Sequence, residues 1–390
     1  MKKANSISAI ILLLAATAGC GGQRQAGDEE FITVDVTKEY SPKKELILQD
    51  FMDVEYIALE TNDDFLNQGF VQAIGEKFIL VKNRKDDGDI FVYDRTGKAL
   101  RKINRKGEGG EEYTRVYNIT LDEDSEEMFV NDLHKSEIFV YDLHGNFKRS
   151  LNHKDSGGSL FYTDIFNYDA DNLICYDQYN KEIAFVLISK QDGSITEEIK
   201  IPFKEKKLLQ QMLRDGEKTL TVSPGPSRSI IPFKGNWLLA EFSSDTVYDF
   251  LPDYGLRPFL VRTPSIHSMD PEVFLLLRLF SERYIFMEAV ENKYDFDNNS
   301  GFKPVFFMYD KQEKAVLGYT VYNGDFSIKK EMYMVATRPV NHEIESWYPL
   351  EAHRLVESYE NGELKGRLKE IAATLDEDSN PVIMLIKHKK

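Results

Sequence analysis

Short apolar runs separated by polar, glycine-containing turns recur along most of the chain, and they recur in register. Ile90-Phe91-Val92-Tyr93-Asp94 returns as Ile138-Phe139-Val140-Tyr141-Asp142, 48 residues later. A turn with Gly97 or Gly145 follows, then a second run, Lys98–Ile103 or Phe147–Leu151. A further 48 residues on stands Gly193, between Phe185-Val186-Leu187-Ile188 and Ser194-Ile195. Looser copies lead from Thr246–Leu251 through Gly255 to Phe259-Leu260-Val261, and from Val305–Tyr309 to Ala315–Tyr319. Before each copy lies another apolar run: Phe78–Val81, Met128–Val130, Leu173–Tyr176, Trp237–Phe242 and Tyr284–Ala289. Runs of this kind, rich in β-branched and aromatic residues and bounded by turn residues, read as strands. Three in succession, at a period of 45 to 60 residues, predict an antiparallel blade of a β-propeller.

Five such units are visible, and residues 31–390 hold six at about 60 residues each. The expected fold is therefore all-β, a six-bladed β-propeller. A seven-bladed ring and two stacked β-sandwiches are the alternatives. The sixth blade is expected from both chain ends, with Pro381–Ile386 pairing with Phe31–Val36 or Glu55–Leu59. Such closure removes the open sheet edge and ties down the termini. Helical insertions are expected in the later blades. Lys204–Arg214 has Leu208, Leu209, Met212 and Leu213 at helical spacing, and Pro271–Phe280 follows Asp270 as a capped helix start. Two more helices are expected at Leu350–Tyr359 and Glu363–Leu375, split by Asn361-Gly362.

The first residues break the pattern. Lys2 and Lys3 precede the apolar run Ile7–Ala18, which is shorter than the roughly 20 residues a spanning helix takes. A basic start, a short apolar stretch and small residues at its end describe a secretory signal. Ala16-Thr17-Ala18-Gly19-Cys20 resembles the bacterial lipobox, which predicts lipidation of Cys20 after removal of residues 1–19. Acyl chains on that Cys would hold the chain at a membrane. Residues 20–30, rich in Gly, Gln and acid, read as a flexible tether. An ordinary secreted protein with Cys20 incidental is the alternative. Gly21 is not an Asp, so the inner-membrane retention signal is missing and the outer membrane is favoured.

Processing at Cys20 would remove Lys2 and Lys3 and take the formal charge from −16 to −18. An acidic balance argues against a nucleic-acid partner, because phosphate binding needs a concentrated basic face. The 42% hydrophobic content is enough for a packed core and excludes intrinsic disorder. Cys175, in Leu173-Ile174-Cys175-Tyr176, is then the only other cysteine. It reads as a buried small hydrophobe rather than a nucleophile, and no intramolecular disulfide is available.

Lys106-Gly107-Glu108-Gly109-Gly110-Glu111-Glu112-Tyr113, followed by Ile119–Asp122, Met128–Asp132 and Ile138–Gly145, resembles an NHL-type propeller repeat. With Glu55–Thr61, Ile103–Gly107, Asp253–Pro258 and Leu368–Ile371 through Asn380-Pro381-Val382, nearly the whole mature chain is similar to the six-bladed propeller lipoproteins of Bacteroidetes, a family largely of unknown function. Gly110-Glu111 stands where the repeat often has a proline after paired glycines. The resemblance implies that the glycine-rich segment crosses from the outer strand of one blade to the inner strand of the next. That would place Arg105, Lys106, Glu108, Glu112 and Tyr113 near the rim of the central channel as a polar contact surface. The competing reading is structural, with Glu112 and Tyr113 anchoring the inter-blade turn.

Local catalytic signatures are weak. The histidines, His134, His144, His153, His267, His342, His353 and His388, have no ligand spacing, so no metal and no cofactor are expected. Asp295–Gly301 begins like a calcium loop but has Ser300 where that loop needs Gly and Phe306 where it needs Glu. It reads as an acidic hairpin loop, and Asp86–Asp89 as a turn. Gly225-Pro226-Ser227-Arg228-Ser229 is no nucleophile elbow, and Gly107-Glu108-Gly109 lacks the helix of a dinucleotide loop. Ser189–Gly193 has only part of a sialidase-type Asp-box. Arg228, in a rigid Pro-Gly-Pro turn, is read either as a ligand contact for carboxylate or phosphate or as a surface ion pair. The expected function is a monomeric, lipid-anchored, non-catalytic binding or scaffold propeller of the cell envelope, with a protein or glycan partner. The alternative is an envelope enzyme (lactonase, lyase or glycoside-active hydrolase) with its site in the channel.

Overall fold

A strand whose every side chain is apolar must bury both of its faces, and this chain does so by placing each central strand between two neighbouring sheets. The computed structural model describes residues 31–389 except 85, 156–157, 160, 217, 226 and 336–340, and within 154–160 the backbone alone. Cys20, the signal and the tether lie outside the described residues. Residues 32–390 form the folded unit, a six-bladed β-propeller.

Blades 1 to 3 are four-stranded antiparallel sheets in sequence order: Phe70–Ile74, Phe78–Lys82, Asp89–Asp94 and Ala99–Asn104; Asn118–Asp122, Glu127–Asp132, Glu137–Asp142 and Phe147–Asn152; Asp164–Asn167, Asn172–Tyr176, Phe185–Ser189 and Ile195–Ile199. Blade 4 runs Ile230–Phe233, Asn236–Leu239, Thr246–Phe250 and Leu256–Thr263. Blade 5 runs Val273–Phe280, Tyr284–Glu291, Pro304–Asp310 and Ala315–Tyr322. Blade 6 has three described strands, Ile344–Leu350, Val382–Lys387 and Asp53–Ala58.

The repeated Ile-Phe-Val-Tyr run shows why the pattern is uninterrupted rather than alternating. Phe91 and Tyr93 pack with Ile57, Ile383 and Leu385 between blades 6 and 1. Ile90 and Val92, pointing the other way, pack with Ile119, Val130 and Tyr141 between blades 1 and 2. Successive strand residues face opposite sides of a sheet, so one strand feeds two cores. Cys175 is fully buried and unpaired in the core between blades 2 and 3. Burial pushes its thiol pKa well up, as a small core hydrophobe requires.

The repeat glycines have a packing reason. Gly97, Gly145 and Gly193 adopt φ of +89°, +82° and +76°. Each turn lies against the outer strand of the preceding blade. A Cβ would come within 2.1 Å of the Ala58 carbonyl at Gly97, 2.7 Å of Ile103 at Gly145 and 3.0 Å of Leu151 at Gly193. Glycine alone satisfies both the left-handed backbone and the close approach.

The chain's first three strands edge three consecutive blades. Ile32–Asp35 pairs in parallel with Leu256–Thr263 on blade 4. Lys43–Ile47 pairs in parallel with Ala315–Tyr322 on blade 5. Asp53–Ala58 pairs antiparallel with Val382–Lys387. Closure therefore uses the second of the two expected N-terminal strands, and the segment at 31–36 edges blade 4 instead. Val382 to Ile386 are all fully buried between two partner strands.

Two expected helices are strands. Gln211–Asp215 and Lys218–Val222 form a hairpin turned by Gly216 at φ +60°. The spacing of Leu209 and Met212 that suggested a helix reflects a chain that packs Leu209 and Val222 against Phe274 and leaves Met212 outside. Val273–Phe280 is the first strand of blade 5, apolar on both faces, a pattern that periodicity cannot separate from a buried helix. The late helices are present at Ala352–Glu360 and Gly366–Ala372, where Leu355, Leu368 and Ile371 join the core between blades 5 and 6.

Asp310 fastens the N-terminal edge strand to blade 5. Its buried carboxylate meets Arg283 at 2.7 Å and Lys44 at 2.9 Å. Burial works to raise its pKa, but both cations and the N–H groups of Gln312 and Glu313 hold it far below the ordinary 3.8. A depressed carboxyl stabilises the fold above its unfolded pKa, and that contribution is lost as pH falls through the folded value. Asp310→Asn is expected to cost about 2 kcal/mol at pH 7, below the 3–5 range for fully buried pairs because both cations keep some solvent. The gap to wild type should narrow below about pH 4, as read by urea denaturation across pH.

Candidate functional site

The crossover from blade 1 to blade 2 is a self-contained turn. Tyr113 is fully buried. Its hydroxyl donates to the Gly88 carbonyl at 2.6 Å and accepts from the Arg105 N–H at 2.9 Å. Burial pushes its phenol up to about 12. Its ring meets Tyr141 edge-on at 6.0 Å. Glu112 accepts from the Gly109 N–H at 2.9 Å, and a Cβ on Gly107 would lie 2.0 Å from its carboxylate. Arg105 donates to the Gly145 carbonyl at 2.8 Å, and the Lys106 ammonium donates to the Asp86 carbonyl. Arg105, Lys106 and Glu108 are exposed. None of these residues lines the cavities at the two ends of the channel.

Two aspartates repeat one device at the ends of equivalent strands. Asp132 accepts from the N–H groups of Thr114 (2.6 Å), Arg115 (3.1 Å), His134 (2.9 Å) and Lys135 (3.2 Å). Burial opposes its charge, yet these donors and the Thr114 hydroxyl keep its pKa lowered. Asp177 accepts from Phe161 (2.9 Å), Tyr179 (2.9 Å) and Asn180 (3.2 Å). Each carboxylate ties a crossover to the loop beyond its own strand. In blade 3 the result is that Phe161 and Tyr179 are held together, edge-on at 5.6 Å and both exposed.

The end of the channel at which the innermost strands begin carries a cavity of about 350 Å³. Tyr117, Thr163, Asp164 and Ser229 reach it from the starts of the innermost strands of blades 2 to 4, and Tyr176, Gln178 and Tyr179 from blade 3. The inserted hairpin segment supplies Leu208, Gln210, Thr221 and Ser223. The Gln211 side chain donates to the Asn292 carbonyl at 2.8 Å, which fixes the hairpin base to blade 5. Beyond that base Met212, Leu213 and Leu220 are 55%, 43% and 55% exposed.

The opposite end carries a cavity of about 380 Å³ along the innermost strands of blades 1 to 3, with Gln72, Thr120, Asn167, Trp237, Asn341 and His342 on its wall. His342 meets Trp237 edge-on at 5.4 Å, and burial holds its imidazole pKa below the ordinary 6.5. Beside it Lys190 is buried and paired with Asp122 at 2.6 Å.

Arg228 lies inside the ring, 2% exposed. It pairs with Glu345 at 2.6 Å and donates to the Arg278 carbonyl. Glu345 also accepts from the Phe280 N–H at 3.0 Å and lies 3.3 Å from His388. The pair ties blades 4, 5 and 6 together, in place of the surface ion pair or ligand contact expected from the Pro-Gly-Pro turn. Among the described residues no group of three His, Cys, Asp or Glu could hold a metal. The Asp295 carboxylate is taken up in its own hairpin by the N–H groups of Asp297 and Asn298.

The aromatic pair and the aspartates escaped sequence reading, although a signal exists. Tyr113-Thr114 recurs as Tyr162-Thr163, and Asp132 and Asp177 follow equivalent strands. Arg228→Ala is expected to destabilise the fold by about 3–5 kcal/mol by stranding the Glu345 charge. Arg228→Met with Glu345→Leu should recover most of that loss, as read by chemical denaturation.

A family model described as a domain of unknown function, DUF4934, matches residues 31–387. A crystal structure from Bacteroides fragilis, described as a "Putative exported protein", is similar at 15% identity and TM-score 0.57, over 92% of this chain and 99% of that one. A DUF4221 family member from Bacteroides vulgatus is similar at 11% identity and TM-score 0.47, over 87% and 99%. Virginiamycin B lyase from Staphylococcus aureus is similar at 10% identity and TM-score 0.35, over 70% and 94%. At such identities likeness bears on the fold alone. No curated protein matches the sequence. The family model spans the propeller from its first edge strand to its closing strand, and the chain belongs to the DUF4934 family.

Proposed function

We propose that this protein is a non-catalytic binding propeller of the bacterial cell envelope, lipid-anchored through Cys20, with a protein or glycan partner. The observation that carries the reading is the rim of the cavity at the hairpin end. Tyr117, Phe161, Tyr179, Met212, Leu213 and Leu220 are all among the exposed large hydrophobic residues; Tyr117 and Tyr179 line the cavity, Phe161 packs against Tyr179, and the other three stand on the hairpin whose Thr221 lines it. Exposed aromatic and aliphatic chains concentrated beside a cavity mark interaction surfaces. The buried cations Arg228, Arg278, Lys190 and Lys206 are each tied to a carboxylate, at 2.6, 2.7, 2.6 and 2.9 Å. Those pairs brace blades. The similar Bacteroides fragilis protein, described as exported, agrees with the signal-like start of this chain. Outer-membrane placement rests on Gly21 after Cys20 and remains part of the proposal.

Two outcomes are expected. In a bacterial host with lipoprotein processing, the wild-type chain should fractionate with membranes and Cys20→Ala should be released to the soluble fraction. Equal partitioning of the two would remove the anchor from the proposal. Leu213→Asp with Leu220→Asp should leave the thermal midpoint within about 2 °C, as surface changes do. The same variant should lose at least tenfold in affinity for an envelope fraction immobilised on a sensor. Unchanged binding would overturn the reading.

A further inference from the structure

We infer that the 350 Å³ cavity under the hairpin is a subsite for neutral carbohydrate, holding one or two sugar rings of a larger glycan. This deepens the binding-propeller reading and rests on it. The volume lies at the small end of ligand cavities. Its polar wall is made of hydroxyls and primary amides: Thr163, Gln178, Gln210, Thr221 and Ser223, with Asp164 as the one carboxylate among the lining residues. No Lys, Arg or His is among them. Hydroxyl and amide groups each both donate and accept, which is the pattern a polyol presents in return. A phosphate, sulfate or uronate would meet no cation among the described lining residues and would meet the Asp164 carboxylate.

Aromatic residues complete the wall of the cavity. A pyranose has polar edges and apolar C–H faces, so it pairs with flat rings that expose one face to water. Tyr117 and Tyr179 line the cavity and are 45% and 43% exposed. Tyrosine offers such a face with a polar tip and few rotatable bonds. Tyr179 is held in place beforehand. The Asp177 carboxylate, in a residue only 5% exposed, takes its backbone N–H at 2.9 Å, and Phe161 braces its ring. A platform set before the ligand arrives loses little freedom on binding.

The test uses the full chain in detergent and a panel of hexasaccharides. The neutral members are built from glucose, mannose, xylose and N-acetylglucosamine, and the acidic one is oligogalacturonate. Calorimetry and thermal midpoint are the readouts. At least one neutral member is expected to bind saturably, with affinity changing less than twofold between 50 and 500 mM salt. Tyr179→Ala and Gln178→Ala should each weaken that binding at least tenfold with the ligand-free midpoint unchanged. Tyr179→Phe should keep most of it, since the ring face is retained.

Binding of oligogalacturonate alone, or neutral binding indifferent to Tyr179→Ala, would overturn the inference, as would no binding by any neutral member. A parallel arm treats the immobilised envelope fraction with protease. If capture is lost with protease and with the Leu213→Asp, Leu220→Asp variant, the partner is a polypeptide. The binding propeller then stands and the carbohydrate subsite falls. If capture never depends on the rim, both fall.

Discussion

Every blade of this protein depends on its neighbours for its stability, because its central strands are apolar on both faces. A sheet with two such faces cannot stand in water alone. Fully burying one large aliphatic or aromatic side chain is worth about 1.5–3 kcal/mol, and each central strand divides several such side chains between two cores. The ring must therefore close. Closure falls to Val382–Lys387, held between Asp53–Ala58 and Ile344–Leu350. The N-terminal segment does more than close blade 6. By edging blades 4 and 5 in passing, it covers two outer edges that would otherwise present unpaired N–H and C=O groups.

Once packing is supplied between blades, polar groups are left to position the loops. Asp132 and Asp177 satisfy three or four backbone N–H groups each. A buried carboxylate with that many donors cannot be moved without stranding them. Loops anchored in this way can expose aromatic residues without collapsing onto the core. Arg228 and Glu345 act differently. Their ion pair spans three blades where the innermost strands converge, and its value lies in fixing blade geometry rather than in net stability.

Much of the fold was legible because repetition reports on environment. The copies at 90–94 and 138–142 have the same residues because both strands sit between two blades, and Gly97, Gly145 and Gly193 recur because each turn abuts the preceding outer strand. Legibility failed where environment and period part company. Val273–Phe280 is leucine-rich yet strand, since burial on both faces erases the two-residue alternation. Lys204–Arg214 has helical spacing, yet its last residues enter the hairpin Gln211–Val222; Leu209 and Val222 reach a core and Met212 does not. The site was less legible than the fold for a physical reason. Its residues come from blades 2, 3 and 4 and one insertion, so no local spacing relates Tyr117 to Tyr179 or Gln178 to Ser223. Arg228 was visible in sequence, but its partner lies 117 residues away.

Charge adds a selection that shape alone would not. The chain carries a formal −16, and among the described residues lining the cavity under the hairpin no cation offsets that field. An anionic ligand approaching the mouth is repelled over about 8–10 Å at physiological ionic strength and gains no pair on arrival. A neutral ligand is indifferent to the field and gains hydrogen bonds and ring contacts. The acidic surface therefore does not compete with the proposed ligand. For such a ligand, discrimination against acidic polymers comes from repulsion as well as from fit.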